Sequence, residues 1–483
     1  MAVLRASAFL TYISGCAVAL YGCAAGNAQV AAPGEVSRAG PALAAGDSAA
    51  TQLSAGGAPK VILIIGDGMD DQQITIARNY LVGADGRLTL DGMPFRAAVQ
   101  VQAVKEESPE EFVYVSDSAN TATSIATGIL TSRGRIATTP GTDVDVTTIL
   151  ERAQAAGMRT GIVTTASVTD ATPASFVAHI NQRFCQGPRG MRSTLRNLGI
   201  DVDCSVDYRS RGGLGSIAEQ IAASTVDVVL GGGTVYFDQP AEGSLETVSE
   251  LAEAAGFRIV RRWNEIQETG PDERVLGLFA RNTMPVRWRG ENDAEAARIE
   301  RSSEGAVVLP EPFVCEPEPR FDGMPELSEM TRFALDRVDS ERGFFLMVES
   351  ASIDKQSHDR KPCGHIGELQ QLDEAVAVAL EYAAVHPETL ILVTADHSHA
   401  AQLVTEVGGN ATPSFATPGY FARLRTADGA TMGVNYATND STQEYHTGSQ
   451  VPLFAAGQAP GTIPSFIAQR EIFGIMIGHL GLD

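Results

Sequence analysis

The stretch KVILIIGDG, residues 60–68, sets five consecutive large aliphatic side chains between a lysine and a Gly-Asp-Gly turn. A continuous run of this length suits a strand buried on both faces, as in a parallel sheet. The turn leaves an acid, Asp67, at the carboxyl end of that strand. RTGIVTTAS (159–167), VDVVLGG (226–232), GFFLMVES (343–350) and TLILVTADH (389–397) repeat the design. Helical patterns lie between these runs. DVTTILERAQAAGM (145–158) has Asp145 as its N-cap candidate and Gly157 as its end, and GELQQLDEAVAVALEYAAVHP (367–387) stops before a proline. The alternation predicts an α/β three-layer sandwich: a large, mostly parallel central sheet with helices on both faces. Two loop-rich insertions break it, near 263–319 and 408–445, the second a candidate small subdomain.

Open α/β sheets collect ligands outside the carboxyl ends of their strands. Asp67 ends the first run. Asp117 and Ser118 follow the apolar FVYV (112–115). Asp170 and Thr172 come shortly after IVTT, Glu349 ends FLMV, and Asp396 and His397 end LILVTA. Five distant stretches thus direct polar groups to one rim.

VESASIDKQSH (348–358) holds Asp354 and His358 four residues apart, on one face of a helical turn. TADHSHA adds His397 and His399, and HTGSQ adds His446. Four of the chain's eight histidines lie in these three motifs. One exposed histidine is seldom a ligand, but several Asp and His groups at strand ends form a metal-binding set. Mixed imidazole and carboxylate ligation suits zinc, whereas an oxygen set with a hydroxyl suits magnesium.

The chain of 483 residues carries 59 acidic against 36 basic side chains, a net charge of −23. That balance repels nucleic acid and anionic membranes at long range, so no nucleic acid partner is expected. Residues 1–23 read as an export signal, with Arg5 ahead of the apolar ASAFLTYISGCAVAL. LYGC, ending at Cys23, resembles a bacterial lipobox, although Tyr21 is bulky for it. Two readings stand: a lipid anchor on Cys23 at the outer membrane, or a soluble periplasmic protein cut further along. Residues 24–58, rich in Ala, Gly, Ser and Pro, read as a flexible tether or arm, leaving 59–483 as the catalytic domain. Cys185, Cys204, Cys315 and Cys363 remain in the mature part. For an exported chain two disulfides are the default, and Cys185–Cys204 with Cys315–Cys363 is the simplest of three connectivities. A zinc site of four thiolates fits that spacing poorly.

IGDGMDDQQITIARNY, DSANTATSIATG, TDATPASFVAHI, SASIDKQSH, TADHSHA and HTGSQVPLFAAG, in this order, resemble the alkaline phosphatases, most of all the enteric bacterial periplasmic type. The resemblance spans nearly all of 59–483. It implies hydrolysis of phosphate monoesters through a phosphoserine on Ser118, with two zinc ions and one magnesium ion per subunit, in a homodimer. One zinc would be held by Asp354, His358 and His446, the second by Asp67, Asp396 and His397. Asp67 would be shared with a magnesium held by Thr172 and Glu349. Arg183, in HINQRFC, matches the phosphate-binding arginine, whose planar fork holds two oxygens in parallel. Asp170 and Lys355 match residues that orient waters at the magnesium and the phosphate, and His399 matches a partner of Asp354. Two metals about 4 Å apart suit an in-line displacement. Ser118 should open a helix whose N–H groups favour an anion; the plainer reading makes Asp117–Ser118 a helix cap alone. Two departures stand out: Ser350 replaces a usual glycine, and Ser357 an acid beside His358. Rival readings are a phosphodiesterase, a sulfatase or a phosphonate hydrolase of the same superfamily, and a non-catalytic metal- or phosphate-binding protein, which would need no Ser118.

Overall fold

Ten strands form the central sheet of the computed structural model, which describes residues 57–195, 200–406, 419–458 and 463–482. In chain order they are β1 Lys60–Gly66, β2 Phe95–Gln100, β3 Arg159–Ser167, β4 Val228–Gly232, β5 Phe257–Val260, β6 Arg274–Leu278, β7 Phe344–Ser350, β8 Thr389–Ala395, β9 Val451–Gly457 and β10 Phe466–Ala468. Across the sheet they lie in the order β10-β2-β9-β8-β1-β7-β3-β4-β6-β5. All neighbours run parallel except at β9, which is antiparallel to β8 and β2. The five aliphatic runs are indeed central strands, and Val61 to Ile65 are fully buried. Burying one such side chain contributes about 1.5–3 kcal/mol, which fixes β1 in the middle. Helices cover both faces. Pro362–Val385 and Leu327–Val338 pack together on one, and Glu471–Leu480, Ser118–Thr127 and Ile149–Ala155 pack on the other.

Register places the site. Gly66 of β1 lies level with Ser350 of β7 and Ala395 of β8. Asp67 and Asp396 therefore leave the sheet on one rung, with Glu349, level with Ile65, two positions below. Because β9 runs backwards, its start lies at the same edge, and this brings His446 to the carboxyl ends of the parallel strands.

Several expectations change. The helix after residue 145 is Ile149–Ala155, capped by Thr148 in a reciprocal box with Glu151. Asp145 instead bridges to Thr138. Thr148 wins because its hydroxyl and the Glu151 carboxylate satisfy two end N–H groups at once. FVYV is no central strand: Phe112–Val113 pairs with Ala103–Val104, and Tyr114 is 79% exposed. The stretch 263–319 contains β6, so it is not wholly an insertion. Both loop-rich stretches also meet in one small sheet, in which Tyr420–Arg425 pairs with Ala297–Arg298 and with Thr431–Tyr436, and the last pairs with Ala401–Val404.

The export signal at 1–23, the tether up to residue 56 and residues 407–418 of the second insertion lie outside the described residues. Among the described residues no helix is long and apolar enough to cross a membrane. The disulfides join Cys185 to Cys204 and Cys315 to Cys363, as expected.

Candidate active site

Ser118 is the first residue of the helix Ser118–Thr127, all ten residues of which are buried. Only small or slender side chains allow a helix to sit so deep. Asp117 caps it: its Oδ1 accepts from the Asn120 N–H at 3.1 Å, and Asn120 Oδ1 accepts from the Asp117 N–H at 2.9 Å. The cap therefore does not exclude the nucleophile role expected of Ser118. Free N–H groups of the first turn and the helix dipole favour an anion here. The Ser118 hydroxyl lies 3.2 Å from His397 Nε2 and 3.5 Å from Asp67 Oδ1.

Two groups of side chains bring ligand atoms within 4.8 Å of one another: Asp354, His358, His399 and His446, and Asp67, Asp354 and His397. Asp396 stands beside the second group, with Oδ2 3.2 Å from His397 Nε2. Its Oδ1 accepts from the N–H groups of Gly68 at 2.9 Å and His397 at 2.7 Å. Gly68 has φ +72°, and a Cβ there would press on the Asp354 backbone at 3.1 Å.

The imidazole tautomers separate rings that could hold a cation from one that could not. His358 Nδ1 bonds the Glu444 carbonyl, and Nδ1 of His446 and His397 bond the carbonyls of Ser116 at 2.9 Å and Ser398 at 3.3 Å. A carbonyl only accepts, so each Nδ1 carries the proton and each Nε2 offers a lone pair. His399 is reversed. Its Nδ1 accepts from the Ala400 N–H at 2.7 Å, so Nε2 carries the proton and faces Asp354 Oδ1 at 3.1 Å. It stands beside Asp354 with its N–H and has no lone pair left for a metal.

The donor set fits cations. Asp354 Oδ1 lies 3.3 Å from Nε2 of both His358 and His446, yet makes no aligned hydrogen bond, and the two Nε2 atoms face each other at 3.2 Å. Asp396 Oδ2 and Thr172 Oγ1 are buried and likewise make no aligned bond. Burial, then repulsion by Asp354 and Asp396, pushes Asp67 far above the usual carboxylate range. Burial pushes Asp396 up to about 6 and Glu349 up to about 7. Asp354 goes the other way, because the imidazoles of His358, His399 and His446 outweigh its burial. A bound dication would relieve this crowding of carboxylates.

A cationic side faces the crowd. Arg183 reaches Asp170 Oδ1 at 3.1 Å and Asp117 Oδ2 at 3.3 Å, and Lys355 Nζ reaches Asp170 Oδ2 at 2.7 Å. Burial opposes the charge on Asp170, but Lys355 and Arg183 overcome it and hold the carboxyl well below its ordinary range. Burial is likewise outweighed by carboxylates at Arg183 and Lys355, both held firmly protonated.

All fourteen expected site positions thus converge, and the geometry adds others. Glu349 accepts a hydrogen bond from Thr164. Ser350 donates to the Glu368 carbonyl at 2.9 Å, and Ser357 donates to the Ile353 carbonyl at 2.7 Å while accepting from Gln73 Nε2 at 2.9 Å. The hydroxyl that stands in place of an acid beside His358 therefore binds a neighbouring helix. Glu444, fully buried, pairs with Arg360 at 2.8 Å and fixes the loop that carries His446. Nothing local in QEYH marks that glutamate. The capping box at Thr148–Glu151, by contrast, carries a Thr-x-x-Glu signal that the reading of Asp145 as N-cap passed over.

The family model for alkaline phosphatase matches residues 58–444. The streptomycin-6-phosphate phosphatase of Streptomyces griseus is 42% identical over 453 residues, covering 90% of this chain and 93% of that protein. The alkaline phosphatase of Escherichia coli (strain K12) is 38% identical over 472 residues, covering 95% and 93%. The solved alkaline phosphatase of the Antarctic bacterium TAB5 superposes with a TM-score of 0.63 at 22% identity, over 88% of this chain and 99% of that one.

Proposed function

The chain belongs to the alkaline phosphatase family and hydrolyses phosphate monoesters, and on that premise we propose that Ser118 is the nucleophile that carries the phosphoryl group. The observation that supports this most is the place of its hydroxyl, 3.2 Å from His397 Nε2 at a buried helix start, with Arg183 anchored beside it on Asp117. Asp354, His358 and His446 would hold one zinc ion. Asp67, Asp396 and His397 would hold a second, and Asp67, Thr172 and Glu349 a magnesium ion. When bound, these ions supply the positive charge that lowers the hydroxyl pKa and stabilises the attacking and leaving oxygens.

The chain's own residues do the rest. Ser118 Oγ gives up its proton to solvent and attacks phosphorus opposite the ester oxygen; a new O–P bond forms and the ester O–P bond breaks. The leaving alkoxide takes up a proton from water, so the proton count is unchanged. Arg183 holds two phosphoryl oxygens in its fork and is itself kept in line by Asp117 and Asp170. Lys355 remains protonated and places positive charge, through Asp170 and water, near the transferring group. A water molecule then gives up a proton and attacks the phosphoserine, the Ser118 O–P bond breaks, Ser118 Oγ takes up a proton from solvent, and inorganic phosphate leaves.

Acid quenching of the working enzyme should trap phosphate on Ser118. Ser118→Ala should cut turnover by about three orders of magnitude or more while zinc content stays near normal. Turnover close to wild type in that variant would sink the covalent route.

The same reading takes residues 1–23 as an export signal to the periplasm, Cys23 as the candidate lipid anchor at the outer membrane against a soluble protein cut further along, 24–58 as the tether, and 59–483 as one catalytic domain working as a homodimer. Activity should follow the detergent phase on partitioning, and Cys23→Ala should move it to the aqueous phase. Sedimentation of the detergent-free variant should give twice the chain mass.

A further inference from the structure

We propose that Tyr445 is a specificity residue that receives the leaving group, and that it favours phosphate monoesters whose alcohol carries a planar aromatic ring. The inference rests on the metal assignment above and deepens it.

Exposure grades across the site. Asp67, Asp396 and His397 are almost wholly buried, with side chains 3%, 0% and 0% exposed. His358 and His446 open towards solvent, at 21% and 10%. Ser118 stands on the closed side, against His397 and Asp67. An in-line displacement places the leaving oxygen opposite the attacking serine, so the alcohol must point towards His358 and His446, where the site opens. Tyr445 stands at that opening. It is 47% exposed, and its ring lies 6.1 Å from the His358 imidazole at 83° to it, a wall beside one ligand.

A lone exposed tyrosine is ordinary on a protein surface. What distinguishes this one is that its backbone cannot move aside. On one flank Glu444 is clamped by Arg360 at 2.8 Å, and its carbonyl holds His358 Nδ1. On the other flank His446 Nδ1 is tied to the Ser116 carbonyl at 2.9 Å. The Tyr445 N–H donates to Thr438 Oγ1 at 3.2 Å. Gly448 completes the arrangement, because a Cβ there would lie 2.7 Å from the Tyr114 carbonyl and push the two segments apart. A ring carried on a backbone held this firmly has less conformational freedom to lose when a second ring stacks on it. A small aliphatic alcohol offers it no such face.

The test compares kcat/KM for phenyl phosphate and for glycerol 2-phosphate in the metal-loaded enzyme. Tyr445→Ala should lower the phenyl-to-glycerol ratio about three- to tenfold, the range in which aromatic contacts contribute. Tyr445→Phe should restore the ratio, and Tyr445→Leu, which keeps bulk without a π face, should restore it only in part. The inhibition constant of inorganic phosphate, which has no leaving group, should stay the same in all three. An unchanged ratio in the alanine variant, or equal restoration by leucine and phenylalanine, overturns the proposal. If alanine disturbs the loop and raises the phosphate constant, the leucine and phenylalanine variants, which fill the same space, carry the comparison alone. Zinc retained by His358→Ala would refute the metal assignment instead, and that result is read independently of the ratio.

Discussion

Arg183→Ala isolates phosphate recognition from chemistry. The guanidinium is 18% exposed and is bonded to Asp170 at 3.1 Å and to Asp117 at 3.3 Å. Neither carboxylate is left bare by the change. Lys355 Nζ still holds Asp170 at 2.7 Å, and the N–H groups of Asn120 and Gly134 still hold Asp117 at 3.1 Å. The fold should therefore lose only about 1 kcal/mol, one ordinary hydrogen-bonded contact. Phosphate binding should lose more. A charge-assisted contact disappears, and two carboxylates that the guanidinium neutralised now face the dianion. Together these cost about 2–4 kcal/mol, or about 30- to 700-fold in affinity at 1.4 kcal/mol per factor of ten. Arg183→Lys should fall between, because it keeps the charge and loses the planar fork. The competitive inhibition constant of inorganic phosphate, measured at equal zinc content, reads the effect. A constant within twofold of wild type in Arg183→Ala would refute the reasoning and return the phosphate to Lys355 or to the metals alone.

Two further outcomes follow from the surrounding fold. Bonding to Arg135 holds Glu106 down, from its usual 4.5 to about 2, so its stabilising contribution is complete above about pH 4.5 and is lost as pH falls through about 2. Its side chain is 39% exposed and solvent screens part of the gain, but the gap in urea stability between wild type and Glu106→Gln should still close over that window, and a gap independent of pH would contradict the assignment. The two disulfides close loops with sequence separations of 19 and 48 residues, so by loop entropy removing Cys315–Cys363 should cost about 4 kcal/mol and removing Cys185–Cys204 about 3 kcal/mol; thermal unfolding of the two paired Cys→Ala variants checks the order.

What could be read from the sequence depended on how local its cause was. β1, β3, β4, β7 and β8 were legible because both faces are buried and their aliphatic runs are unbroken. β9 was not. Its VPLFAAG carries Pro452, which argues against a central strand, and its small residues dilute the pattern. It is tolerated between β8 and β2, where the Thr394 hydroxyl donates to the Pro452 carbonyl at 2.8 Å. β5 and β6 are short, with four and five residues; Arg258 interrupts the first, and the second leaves only four apolar residues after Arg274. Long-range partners were invisible for a different reason: Gln73 with Ser357 and Arg360 with Glu444 are 284 and 84 residues apart.

The four clustered histidines show where residue identity stops being informative. In the sequence His358, His397, His399 and His446 are equal candidates, and only the family resemblance set His399 apart. The backbone makes the same distinction on physical grounds. Three rings meet a carbonyl at Nδ1, and a carbonyl compels that nitrogen to keep its proton, which frees Nε2 as a donor of electrons. His399 meets an N–H instead, and the consequence is the opposite: Nδ1 is used as acceptor, Nε2 is protonated, and the ring turns an N–H rather than a lone pair towards Asp354. Distance alone would place His399 among the ligands, since its Nε2 is nearer to Asp354 Oδ1, at 3.1 Å, than those of His358 and His446, at 3.3 Å. The peptide groups behind the rings, fixed by the Ser398–Thr447 bridge and the Glu444 clamp, therefore decide which rings turn a lone pair into the cluster. A chain with the same histidines and a different path after β8 would present a different site.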